Sequence, residues 1–170
     1  MILLSPAHQP SLTRTDPGTF TALMDLYECN YINIRRLIPV MPRKPTALVS
    51  RVPDGLALHF QLLERFRYTS EMSLTYWFGN QEMGFAEPDL RIRVYHDARM
   101  AEVFYGQLRR LPAFDAEALH DRGSNGVSLY RRWKINRFLF KWLNYCLRQG
   151  HRFPCTPFLS NPLAPSASKI

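Results

Sequence analysis

The sequence predicts an α+β domain: an antiparallel sheet of about four to five strands packed against an N-terminal helix and a long C-terminal helix. Three observations predict it. Apolar residues recur at spacings of three and four near both ends of the chain. Between them, apolar and polar residues alternate with period two in several short runs. The connections between those runs are too short for helical crossovers, so neighbouring strands pair antiparallel. The chain has 170 residues, 46% of them hydrophobic, which is enough to bury one core and leaves little room for a second domain.

The first helix is expected between Thr19 and Pro39, where Leu23, Leu26, Tyr27, Tyr31, Ile34 and Ile38 form one stripe. Asp16 is expected to cap it, with Pro17 at its first position and Pro39 as its stop. A short strand follows from Ala47 to Val52, and the Pro53-Asp54-Gly55 run marks a turn. Leu56, Leu58, Phe60 and Leu62 then alternate with Ala57, His59, Gln61 and Leu63. Met72, Leu74, Tyr76 and Phe78 form the next alternating set, residues 79–88 read as a loop, and Leu90, Ile92 and Val94 alternate with Arg91, Arg93 and Tyr95. A turn near Asp97 and Ala98 leads to a last strand from Met100 to Tyr105. Period two marks half-buried strands, so Arg91 and Arg93 should face solvent or a ligand. Ala116–Asp121 suits one short helical turn before the break at "DRGSNG". The second helix runs from Val127 or Ser128 to Gln149, with Leu129, Trp133, Phe140, Leu143 and Leu147 on one stripe and Gly150 just past its end. Phe138, Leu139, Trp142 and Tyr145 widen that stripe, which suits a central helix or one that also meets a second chain as a homodimer.

The domain is expected to cover residues 19–151. Residues 1–18 read as a flexible N-terminal arm and 152–170 as a Pro/Ser-rich C-terminal tail. Four apolar residues at the start do not make a signal-peptide core, and no apolar run approaches a membrane span, so the expected location is the cytoplasm. Cys29, Cys146 and Cys155 form no CxxC pair and read as apolar filler. No GxGxxG, P-loop, GxSxG or HExxH run occurs, and the histidines at 8, 59, 96, 120 and 151 share no helix at i,i+4. No metal, cofactor or catalytic set is therefore assigned, and a non-enzymatic protein is favoured.

Charge carries the main functional expectation. Nine of the 22 Lys and Arg residues lie after Asp121, and none of the 14 acidic residues does. Within the second helix, Lys134, Arg137, Lys141 and Arg148 follow at spacings of three, four and seven, with Arg131 a further turn back. They form one basic face with no acid on the helix to neutralise it. The leading expectation is a binding protein that meets the phosphate backbone of RNA or DNA, or another anion, through this face. An acidic protein partner is the alternative, and Tyr130 and Trp133 would stack on bases if exposed.

A candidate polar site, Tyr95, His96, Asp97 and Glu102, supports a third reading as an enzyme. Adjacent strand residues point to opposite faces, so His96 and Asp97 should not touch directly. Asp97 is expected to serve its turn, while Glu102 could reach His96 from the next strand. Asn30 and Asn136 are expected to bond the backbone of other elements.

Three stretches occur in order: "MDLYECNYINIRRLIP", "LRIRVYHDARMAEV" and "WKINRFLFKWLNYCLRQGH". Together they resemble the YqiB-like family of uncharacterised proteobacterial proteins, across roughly Leu23 to His151. The resemblance implies a small cytoplasmic bacterial protein and assigns no catalytic or binding residue. Its matching pieces include Asn30, Tyr31, Tyr95, His96, Asp97, Glu102, Asn136, Trp142 and Gly150.

Overall fold

Thr19 starts the first helix. A computed structural model describes residues 16–79, 83–107 and 125–154, with elements in the order α1 (Phe20–Leu37), β1 (Thr46–Ser50), β2 (Leu58–Arg65), β3 (Thr69–Phe78), β4 (Phe85–Ala86), β5 (Asp89–Tyr95), β6 (Met100–Gln107) and α2 (Asn125–Arg148). The Thr19 hydroxyl accepts the Ala22 N–H at 3.2 Å, as an N-cap does. Asp16 serves differently from the expectation: its carbonyl accepts the Thr19 N–H and hydroxyl, at 3.3 and 2.8 Å. Gly18, at φ +79°, turns the chain between the two and displaces Pro17 from the first helical position. At the other end Ile38 leaves the helical region just before Pro39, and its N–H still bonds the Ile34 carbonyl at 2.7 Å.

The sheet is an antiparallel meander in the order β1-β2-β3-β5-β6, with β4 paired to the end of β3. The two-residue β4 falls where a loop was expected. Phe85 pairs with Phe78, and their rings stack at 5.6 Å, so one aromatic contact draws the segment into the sheet. β1 ends two residues earlier, and β2 starts two residues later, than the alternation suggested. Their ladder closes at Ser50 opposite Leu58 and leaves Leu56 exposed in the connecting turn. In that turn the Gly55 N–H bonds the Val52 carbonyl at 3.3 Å, with Pro53 and Asp54 (φ +55°) at its corners.

One face of the sheet is apolar and buried. Leu58, Phe60 and Leu62 line it from β2, Met72, Leu74 and Tyr76 from β3, Leu90, Ile92 and Val94 from β5, and Ala101 and Val103 from β6. Both helices contribute to the same core, α1 through Ile34 and Leu37 and α2 through Ile135, Leu139, Leu143 and Cys146. A second cluster holds the helices to each other, with Leu23, Leu26 and Tyr27 of α1 against Trp133 of α2. Of the residues that widen the apolar stripe of α2, Phe138, Leu139 and Trp142 are used inside the domain, while Tyr145 is exposed. Trp142 is only 7% exposed and meets Tyr76 edge-on at 5.9 Å, and Phe138 packs on the core half-buried.

α2 ends as Gly150 predicts. The Gly150 N–H bonds the Leu147 carbonyl at 3.2 Å and the His151 N–H bonds the Cys146 carbonyl at 3.1 Å, with Gly150 at φ +92°. This is the paired hydrogen-bond pattern of a Schellman C-cap. The chain then docks rather than leaving the domain at residue 152. The Phe153 N–H bonds the Leu37 carbonyl at 2.9 Å, and its buried ring lies 5.5 Å from that of Phe60. His151 is buried, with Nδ1 3.1 Å from the Ser50 hydroxyl. Cys29 and Cys146 are buried free thiols, and burial pushes the Cys146 thiol up to about 11. Most of the expected arm, the Ala116–Asp121 turn, Cys155 and most of the expected tail lie outside the described residues. Among the described residues no helix is long and apolar enough to cross a membrane.

Candidate functional site

α2 positions its basic face by burying the opposite one. Once Ile135, Leu139, Leu143 and Cys146 turn inward, helical geometry sends Lys134, Arg137, Lys141 and Arg148 outward within an arc of roughly 60°. All four are exposed, as is Arg131. Lys134 Nζ lies 4.6 Å above the Tyr130 ring, and the Arg137 guanidinium lies 5.0 Å above the Trp133 ring. Tyr130 and Trp133 in turn stack on each other at 5.9 Å. Two cations are thus seated on aromatic faces, which orders them without neutralising them. Among the described residues no carboxylate pairs with any of the five. Tyr130 is 45% exposed and Tyr145 49%, whereas Trp133 is buried. Arg148 has a second task at the helix end, where its Nε donates to the Asn144 carbonyl at 3.4 Å.

The four residues of the candidate polar site do not converge. Glu102 stands opposite Arg93 in the β5–β6 register, on the face away from the core. Its two oxygens accept from the Tyr95 and Tyr27 hydroxyls, each at 2.8 Å. Burial, followed by the charge of Glu102 for Tyr27 and its hydrogen bond for Tyr95, pushes both phenols above their ordinary range. Each phenol keeps its proton and donates it to Glu102. Beside them Arg93 donates to Glu71 at 2.6 and 2.9 Å and lies 4.7 Å above the Phe104 ring. Arg91 stays exposed, 5.3 Å above the Tyr105 ring. Arg93 thus faces an ion pair rather than open solvent.

His96 looks the other way. Its Nε2 contacts the Arg65 guanidinium and lies 2.7 Å from the Ser70 hydroxyl. Ser70 is buried opposite Val94 and Arg65 in the ladders, so this contact is on the core side of the sheet. The expectation that Glu102 would hold His96 fails for that reason, since the two residues occupy opposite faces. Asp97 is exposed in the turn that Arg99, at φ +54°, completes. With Glu102 and Asp97 turned elsewhere, the enzyme reading built on this trio has no assembled set.

Arg65 and Ser70 were absent from the sequence-derived candidates. Counted from Leu58 with period two, Arg65 belongs to the outer face. A register shift between Leu62 and Glu64 turns it inward to meet Ser70. No sequence signal announces that bulge. Among the described residues no three His, Cys, Asp or Glu side chains gather as a metal-binding group.

The comparisons place these features in a family. A family described as "Protein of unknown function (DUF1249)" matches residues 33–152, a span that includes β1 to β6 and α2. The uncharacterized protein YqiB of Escherichia coli strain K12 is 30% identical over 142 residues, covering 77% of this chain and 90% of YqiB. The YqiB proteins of the O6:H1 and O157:H7 strains match to the same extent. No solved structure matches. The chain belongs to the YqiB-like family of proteins of unknown function.

Proposed function

We propose that this protein is a non-catalytic cytoplasmic binding protein that lays the outer face of α2 along the phosphate backbone of RNA or DNA. The observation that carries the reading is a row of exposed cations, Arg131, Lys134, Arg137, Lys141 and Arg148, with no carboxylate partner among the described residues. Spaced lysines and arginines supply affinity for a phosphate polymer without reading its sequence, because they displace condensed counterions. The exposed Tyr130 and Tyr145 rings beside the row would favour an unpaired strand, whose bases can stack.

The test is binding of the full chain to fluorescent single-stranded RNA and duplex DNA at about 50 and 200 mM salt. With three to five phosphate contacts, affinity should fall roughly 100-fold across that step. Reversal of Lys134, Arg137 and Lys141 to Glu should abolish binding. Salt-insensitive binding, or equal binding by the triple variant, would defeat the proposal. No binding to either polymer would defeat it too and leave an acidic protein as the partner to seek.

A further inference from the structure

The β2–β3 and β5–β6 turns lie side by side at one end of the sheet. The His96 N–H donates to the Tyr68 carbonyl at 2.8 Å, and the Phe66 N–H donates to the Thr69 carbonyl at the same distance. These bonds hold the backbones of both turns in place. Within that frame Arg65 reaches Ser70 and His96 together. A guanidinium has donors only, so the Nε2 that faces it presents a lone pair. The imidazole is then neutral and carries its proton on Nδ1. The Ser70 hydroxyl, 2.7 Å away, can donate to the same lone pair.

Arg65 is half-buried, and among the described residues no carboxylate pairs with it. A guanidinium withdrawn from water usually has a carboxylate or phosphate across from it, and here an imidazole nitrogen and a hydroxyl take that place. Arg35, in the last turn of α1, adds a second positive field at the ring. Burial holds the imidazole below the ordinary histidine range, Arg65 and Arg35 add to the effect, and Asp97 in its own turn opposes it least strongly.

We propose that Arg65, Ser70 and His96 form a binding site for a phosphate monoester group. A guanidinium, a hydroxyl and a ring able to become a donor supply three donor groups, which match an anion with three terminal oxygens better than a carboxylate. An arriving oxygen replaces Nε2 as the acceptor for Arg65. Nε2 then takes a proton from solvent and donates to the ligand. Binding and protonation of His96 are therefore linked, and each favours the other. Affinity for an anion that does not titrate, such as sulfate, should rise as pH falls toward the lowered range of the free His96 ring. The site is independent of the basic face of α2.

The experiment follows the His96 ring nitrogens of the full chain by NMR while inorganic phosphate is added at constant ionic strength. The free ring should show a bare Nε2 and a protonated Nδ1. Saturating phosphate should convert it to the doubly protonated form and raise its titration midpoint. Sulfate, which does not titrate in this range, should do the same and exclude a change in the ligand's own charge as the cause. Arg65→Gln should lose the response, and Ser70→Ala should weaken it. A 5′-phosphorylated dinucleotide matching phosphate would point to a polynucleotide end, and phosphate alone acting would point to a small ligand. The α2 triple variant should respond like the wild type, so the two proposals fail separately. An unchanged His96 ring at saturating phosphate and sulfate, or a folded Arg65→Gln protein that responds fully, would overturn the inference.

Discussion

Asn136 joins a helix to the sheet and to the other helix. Its Oδ1 accepts the Val103 N–H at 3.0 Å, and its Nδ2 donates to the Arg132 carbonyl at 2.9 Å. Asn30 of α1 donates to the Asn136 carbonyl at 3.3 Å. The need arises in β6, where Arg91 pairs with Tyr105 and Ile92 with Val103, so that Phe104 is bulged out of the ladder. Asn136 satisfies a backbone donor at that irregularity from a fully buried position. Asn136→Ala should cost about 2–3 kcal/mol, because it strands a buried N–H and opens a small void. Urea unfolding would measure this, and a loss below about 0.5 kcal/mol would show that the bond contributes little. The role was legible as a type of residue in a type of place, a polar amide on an apolar helix. Its partner was not, because the bulge that creates the demand leaves no mark in the alternation.

At the scale of elements, periodicity carried most of the information. The strand faces from Leu58 to Leu62, from Met72 to Tyr76 and from Leu90 to Val94 follow the period-two pattern in the sequence, since each faces one core. What escaped were local decisions that side chains make with distant partners. Phe78 stacking on Phe85 made a strand of a loop, and the Leu62/Glu64 shift moved Arg65 across the sheet. The candidate polar site was half legible for the same reason. His96 and Asp97 separate as strand parity requires, but the arginine that His96 meets had crossed by a bulge. The end of α2 was legible because glycine is the one residue free to take its conformation. Gly150→Ala should cost roughly 1–2 kcal/mol through left-handed strain alone, since the nearest side-chain atom to a new Cβ, on Val52, is 4.0 Å away. A thermal melt that leaves this variant equal to wild type would remove the strain argument. A loss well beyond that range would mean that the His151 and Phe153 docking depends on the cap as well.

At the scale of the whole molecule, the layers and the charge follow one division. The sheet and α1 cover the inner arc of α2, and Arg131, Lys134, Arg137, Lys141 and Arg148 are left on its outer arc. Their exposure makes a prediction about stability that is separate from binding. Cations that form ion pairs hold a fold together, so reversing them would weaken it. Here no carboxylate pairs with Lys134, Arg137 or Lys141 among the described residues, and like charges three and four residues apart repel slightly. Reversing all three removes two charges at each position and takes the net charge from +8 to +2. The Lys134→Glu, Arg137→Glu, Lys141→Glu protein should therefore match wild type in unfolding free energy within about 0.5–1 kcal/mol. Lost ring contacts to Tyr130 and Trp133 would act against the relieved repulsion. Denaturant unfolding in low and high salt would separate the two effects, since only the repulsion fades as salt rises. A loss of several kcal/mol would mean that the face is built into the fold, and that a failure of this variant to bind nucleic acid could not be read as loss of a binding surface. Equal stability with lost binding would leave the row of cations free for a partner's phosphates.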